Sequence, residues 1–246
     1  MKSISVIGVS KCFAHRGPGL LREQLGAWMS ASLRKAPFYA LTDVSFEIDR
    51  GESVAVVGAN GSGKSTLLSL VCGLTPPDTG MVHVDGRVAA LLDLGSGLHF
   101  DLTGAENLRL NASLVGLSRQ RTDTLFGEIV EFSELGEFIN EPLRTYSTGM
   151  VMRLTFSVAM HVDPDVLIVD EVLAVGDQAF QQKCFAKMMS FRRAGHTLLV
   201  VSHSGAMLRQ ICSRALWLDH GNLVHDGEIN SVLDLYEHRR LTTVLT

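Results

Sequence analysis

Gly58-Ala59-Asn60-Gly61-Ser62-Gly63-Lys64-Ser65-Thr66 is the stretch on which the reading of this chain turns. Its spacing is G-x-x-x-x-G-K-S. The apolar run Ser53-Val54-Ala55-Val56-Val57 precedes it, and Thr66–Cys72, which reads as a helix stopped by Gly73, follows it. A strand, a glycine-rich turn and a helix in that order form a phosphate-binding loop. The glycines let the backbone turn its amides inward, and the helix N-terminus adds partial positive charge. In this reading Gly58, Asn60, Gly61, Ser62 and Gly63 form the cradle, Lys64 reaches the β- and γ-phosphates, Ser65 binds Mg²⁺ and Thr66 meets the α-phosphate. The bare pattern arises by chance in on the order of one chain in a hundred of this length. The flanking strand and helix set this occurrence apart.

A second run, Val166-Leu167-Ile168-Val169, ends in Asp170-Glu171. Acids after a strand are, taken alone, most often a solvated turn. In a parallel sheet, however, ligands collect at the carboxyl ends of the strands, which would bring these two beside the phosphates. Asp170 then holds Mg²⁺, and Glu171 polarises the attacking water as general base. His203 closes the next run, Val200-Val201-Ser202-His203, at the same sheet edge, within reach of a γ-phosphate.

The remainder of the 246 residues fits one α/β domain. Short β-branched runs at Ile4–Val9, Val44–Ile48, Met81–Val84, Val88–Leu92 and Ala215–Leu218 add strands. Those near the ends are the candidates for antiparallel pairing, with a tight turn at Asp219–Asn222. Residues from about 101 to 160 show no strand pattern and read as a helical subdomain. Residues 14–37 carry Leu21, Leu25, Trp28, Met29 and Leu33 at helical spacing, an amphipathic insertion between two early strands. It either packs on its own domain or meets lipid headgroups or a membrane partner. Arg144 and Arg153 read as solvated or interface charges.

The composition is 46% hydrophobic and 20% charged, with a formal net charge of −4. An acidic chain gains nothing from the field of a nucleic acid, so no nucleic-acid partner is expected. Four scattered cysteines suit reduced thiols rather than a disulfide framework or zinc site. The N-terminus reads as a strand rather than a leader, and no apolar run is long enough to span a bilayer.

In order and spacing the motifs resemble the ATP-binding cassette (ABC) family along nearly the whole chain: Gly58–Thr66, Tyr146-Ser147-Thr148-Gly149-Met150, Val166–Glu171, Asp177 and His203. The resemblance implies an α/β P-loop NTPase with a mostly parallel core sheet, a small antiparallel part and a helical subdomain. It implies ATP and Mg²⁺ as ligands, and Glu171, His203 and Lys64 as catalytic groups. Phe13 matches the aromatic that stacks on adenine, and Asp177 the residue of the loop after the acids. It further implies a head-to-tail homodimer in which Ser147 and Gly149 of one copy cap the γ-phosphate bound by the other.

Three departures narrow the resemblance. The signature reads YSTGM, Val172 follows Glu171 where many members have proline, and no glutamine stands between the first lobe and the helical one. Asp93 and His99 are both candidates for its replacement. With Asp170-Glu-Val-Leu-Ala-Val-Gly-Asp177 and the glycines of Leu94–Phe100, the chain is similar to the ATPases that export bacterial O-antigen, capsule or teichoic acid. That likeness implies a peripheral subunit on the cytoplasmic face of the inner membrane, two copies of a multi-span permease, and a polysaccharide contacted mainly through those partners. After the predicted helix at Ser231–Arg240, no room remains for a C-terminal carbohydrate-binding domain. The alternative is an ABC ATPase for another substrate or a soluble, non-transport ABC regulator. A GTP switch lacks its N-K-x-D motif.

Overall fold

The structure is a computed structural model that describes residues 1–13, 37–91, 97–170 and 177–244. Glu171, Asp93 and all of the insertion but Pro37 lie outside the described residues. The described strands are β1 (Lys2–Phe13), β2 (Phe38–Asp49), β3 (Ser53–Val57), β4 (Thr79–Val84), β5 (Val88–Leu91), β6 (Val166–Asp170), β7 (Thr197–Val201), β8 (Arg214–Asp219) and β9 (Asn222–Glu228). The α-helices are α1 (Lys64–Val71), α2 (Gly104–Leu114), α3 (Arg119–Ser133), α4 (Thr148–Ala159), α5 (Gln178–Arg193), α6 (Gly205–Ile211) and α7 (Ile229–Val244).

The strands form two sheets. One has the order β2-β1-β4 and is antiparallel; the other has the order β5-β6-β7-β3-β8-β9, parallel except for the β8–β9 pair. Strands β3 and β7 are buried at every residue, as parallel strands covered on both faces must be. Their side chains alternate between two cores. Val57, Val169 and Val200 join helices α4, α5 and α6 on one side, with Phe156 and Phe180 at its centre. Val56, Ile168 and Val201 face the other way, onto Leu67 and Leu68 of α1 and onto Ile4, Val6 and Leu41 of the small sheet.

Several elements extend past their sequence-based expectations. Strand β1 runs to Phe13 rather than Val9, and its last residue pairs with Phe38 at the start of β2. Helix α2 begins at Gly104, where Thr103 and Glu106 close a reciprocal capping box, each side chain taking the other's backbone N–H. Helix α3 begins at a second cap, Ser118. The antiparallel partner expected across the turn at Asp219–Asn222 is β9, and the seven-residue helix α6 is an element that the hydrophobic pattern does not announce.

Inside the phosphate loop the backbone takes conformations that need glycine. Gly63 has φ 105°, and a Cβ there would stand 2.5 Å from the Ala40 carbonyl oxygen. Gly58 is similarly hemmed in, with the Leu218 carbonyl oxygen 2.3 Å from where a Cβ would be. The loop is thus wedged between β2 and the end of β8.

Two outcomes follow. Gly63→Ala combines a left-handed conformation with a backbone collision and should cost roughly 1–3 kcal/mol in urea denaturation, with loss of nucleotide binding in a titration. Phe156→Ala, at a fully buried ring packed edge-on against Phe180, should cost about 3–5 kcal/mol in the same denaturation assay.

Candidate nucleotide site

Register places the site. Val56 of β3 pairs with Val201 of β7, and Val201 also pairs with Asp170 of β6, so these three residues lie level across adjacent strands. Two residues past that row stand Gly58, where the loop opens, and His203. The sheet therefore delivers phosphate loop, carboxylate and histidine to a single edge, as the general rule for parallel α/β sheets requires.

A cavity of roughly 380 Å³ opens there, lined by Phe38, Ala40, Asn60, Gly61, Gly63, Lys64, Ser65, Thr66 and Asp170. Lys64 is largely buried, and its Nζ donates to the carbonyl oxygens of Gly58 (2.9 Å) and Ala59 (3.0 Å), which aims the ammonium along the loop. The amides of the first turn of α1 are the other positive element. A cationic lysine, glycine-freed amides and a helix N-terminus around one cavity are the donor set of a polyphosphate site.

The same cavity suits Mg²⁺. Ser65 and Asp170 both line it, a hydroxyl and a carboxylate, and both are the hard oxygen donors that this ion prefers. No cluster of three or more His, Cys, Asp or Glu residues that could cage a metal occurs among the described residues.

The other expected residues are distributed around this centre. His203 borders a narrow gap with Gly58 and Lys64 and a wider cleft with Asn60, and helix α7 closes both from behind with Tyr236 and Arg240. Ser147 is the N-cap of α4, its hydroxyl accepting from the Met150 N–H at 3.2 Å, and Gly149 sits in the first turn. Neither lines the phosphate cavity of its own chain. Asp177 is the N-cap of α5: its Oδ1 accepts from the Phe180 N–H at 2.9 Å. That bond above all, and then Arg153 beside it, holds its carboxyl below the usual carboxylate range. His99 is exposed and fixed through its backbone by the fully buried Asn107, which accepts from its N–H at 2.8 Å.

Two placements escaped the sequence reading. Phe38 lines the cavity, whereas Phe13, its cross-strand neighbour, does not; the rings are 51% and 47% exposed. The only trace of Phe38 in the sequence is an aromatic opening a strand. Arg153, outside the cavity, is the second: of the two expectations for it, a solvated or an interface charge, the structure overturns the solvated one. Its side chain is only 17% exposed, ion-paired to Glu134 and Asp177 at 2.7 Å each. Arg144, by contrast, is well exposed and pairs with Asp101 at 3.0 Å.

Comparison with known proteins agrees with this geometry. The profile of the ABC transporter family matches residues 41–174. The O-antigen export system ATP-binding protein RfbB of Klebsiella pneumoniae is 48% identical over 205 residues, 83% of each chain. The teichoic acids export ATP-binding protein TagH of Bacillus anthracis is 43% identical over 199 residues, 81% of this chain and 36% of that longer protein. Among solved structures, the ATP-binding cassette MJ0796, a post-hydrolysis dimer bound to ADP and Pi, superposes with a TM-score of 0.73. That superposition covers 92% of this chain and 98% of the cassette, at 22% identity, and shows the shared fold. With its P-loop, its acid-tipped strand and its histidine at one sheet edge, this chain belongs to the ABC transporter family of ATPases.

Proposed function

We propose that this chain is the ATP-hydrolysing subunit of an exporter that moves a bacterial surface polysaccharide across the inner membrane. The observation that carries the reading is the 48% identity, over 83% of both chains, with an O-antigen export ATPase. The likeness to a teichoic acid exporter points to the same class of cargo.

The chemistry starts from charge. ATP brings several negative charges into one cavity, and Lys64 and the α1 amides neutralise them where water is partly excluded and electrostatic interactions are stronger. Mg²⁺ at Ser65 and Asp170 would shield the β- and γ-phosphates further. Glu171 follows Asp170 directly and takes a proton from the water that attacks the γ-phosphorus. The bond from that phosphorus to the β–γ bridging oxygen then breaks, leaving ADP and phosphate. His203 contacts the γ-phosphate from the neighbouring strand, and Phe13 and Phe38 hold the base.

Ser147 and Gly149 supply the missing donors from a second copy. A serine-capped helix start is an anion site, and it lines no phosphate cavity in its own chain. Two chains in head-to-tail arrangement complete two sites, so ATP closes the dimer and hydrolysis releases it. No helix among the described residues is long and apolar enough to cross a membrane; in the proposed exporter the membrane path belongs to a permease. The surface for it is apolar: Phe100 is 57% exposed, and Leu114 of α2, 63% exposed, reaches the exposed Gly97. On this reading the subunit sits at the cytoplasmic face of the inner membrane, with two permease copies above the dimer.

Glu171→Gln should retain ATP binding while kcat falls roughly 10²–10⁴-fold, and the variant should elute as an ATP-dependent dimer on gel filtration. Normal turnover would remove Glu171 from its role. Lys64→Ala should weaken ATP binding about tenfold or more in a calorimetric titration. Co-purification of the tagged chain with a multi-span membrane protein tests the exporter reading; tight binding to ribosomes or DNA with no membrane partner would overturn it.

A further inference from the structure

We propose that Arg153 is a positioning residue that couples the Ser147–Gly149 half-site to the acid-bearing segment of the same chain. The inference rests on the functional reading above for the role of Ser147 and Gly149. The linkage itself stands on geometry.

Arg153 lies one turn beyond Gly149 on α4, so its guanidinium moves with the anion-binding helix start. Nη1 donates to Oε2 of Glu134 and Nη2 to Oδ2 of Asp177, both at 2.7 Å. The guanidinium carbon lies 4.8 Å from the centroid of the Phe180 ring. A cation–π contact and two divergent ion pairs from the two terminal nitrogens use the fork geometry of the guanidinium, which a lysine ammonium cannot span.

Both acids are themselves anchored. Glu134 ends α3 in a left-handed conformation, φ 58°, and also accepts from Lys183 of α5 at 3.1 Å. Lys183 donates in addition to the Phe132 carbonyl at 3.0 Å. Asp177 uses one carboxylate oxygen to cap α5 and the other to hold Arg153. It stands six residues after Glu171.

The cluster therefore joins the end of α3, the signature helix α4 and the start of α5 with two acids and two bases. When phosphate of the second copy draws in the start of α4, the displacement reaches Asp177 through the Arg153 side chain, and Asp177 follows Glu171 by only six residues of sequence. Completion of one site is thereby reported to the acid of the other. A pair that merely stabilised the fold would change melting temperature and leave turnover and cooperativity alone.

The test uses the full chain carrying Arg153→Met, Arg153→Lys, Glu134→Gln or Arg153→Met with Asp177→Asn. Arg153→Met should keep the Kd for a fluorescent ATP analogue within about twofold, because Arg153 does not line the phosphate cavity, while kcat falls roughly three- to thirtyfold and the Hill coefficient for ATP drops toward one. Arg153→Lys should recover little of that loss. Glu134→Gln, which leaves the Asp177 arm in place, should be milder than Arg153→Met. The double variant should be no slower than the slower of Arg153→Met and Asp177→Asn, since both losses share one route. Hydrogen exchange at the Phe180 amide should quicken in Arg153→Met, a readout that needs no turnover. Unchanged kcat and exchange in Arg153→Met, or losses that multiply in the double variant, would overturn the proposal. A wild-type chain that binds no ATP would overturn the functional reading instead, with the exchange result still deciding the linkage.

Discussion

The level row of Val56, Val201 and Asp170 across three parallel strands is the constraint on which the site depends. A slip of one residue in any of these strands would turn every side chain to the opposite face. Here that slip is opposed from both sides. Val57, Val169 and Val200 are committed to the helical core, and Val56, Ile168 and Val201 to the core under α1 and the small sheet. Two buried cores pin one register, and that register brings carboxylate, histidine and phosphate loop to the same sheet edge, within two residues of one another along the strands. The catalytic edge is thus a product of apolar packing several residues below it.

The same logic explains why the loop is rigid where it must be. Gly58 and Gly63 occupy conformations with no room for a Cβ, pressed on the Leu218 and Ala40 carbonyls respectively. The small sheet and the end of β8 thereby mould the loop from both flanks. Lys64 is held by carbonyls of the loop it belongs to, so the cation is already placed before phosphate arrives and little reorganisation remains to oppose binding.

What was legible in the sequence divides along the range of the interactions. The phosphate loop demands particular residues within nine positions, because backbone conformation and donor placement are local requirements, and it can be read directly. The buried strands β3, β6 and β7 are equally plain, since burial on both faces leaves a continuous apolar run. The starts of α2 and α3 were readable in principle from Thr103-x-x-Glu106 and Ser118, but hydrophobic periodicity favours the middle of a helix over its first turn. Phe38, Asn107 and Arg153 were beyond reach. Phe38 reaches the cavity only because β1 and β2 pair across the long insertion. Arg153 is defined by partners 19 and 24 residues away, and no spacing rule announces a contact between three helices. A charge one turn after a helix cap looks the same in sequence whether it is solvated or clamped.

Coupling two sites in a dimer also has a quantitative side. A nucleotide shifts an open–closed equilibrium only by the difference in its affinity for the two states. Contacts to Lys64 and the α1 amides exist in both states and contribute little to that difference. In the head-to-tail dimer proposed above, contacts from Ser147 and Gly149 of the second copy would exist only in the closed state, so the γ-phosphate that they would cap would set the size of the shift. A population moved from one per cent to ninety-nine needs about 5.5 kcal/mol of such differential binding. Two symmetric sites divide that requirement between them, about half each, which a charge-assisted bond or two at a helix start can supply. On that proposal, losing the γ-phosphate would remove the differential term while ADP kept its contacts to the loop, so reopening would follow hydrolysis rather than nucleotide departure. The half-site on α4 would then be the part of the chain in which binding becomes motion, with its ion pair through Arg153 to Asp177 as the proposed link to hydrolysis.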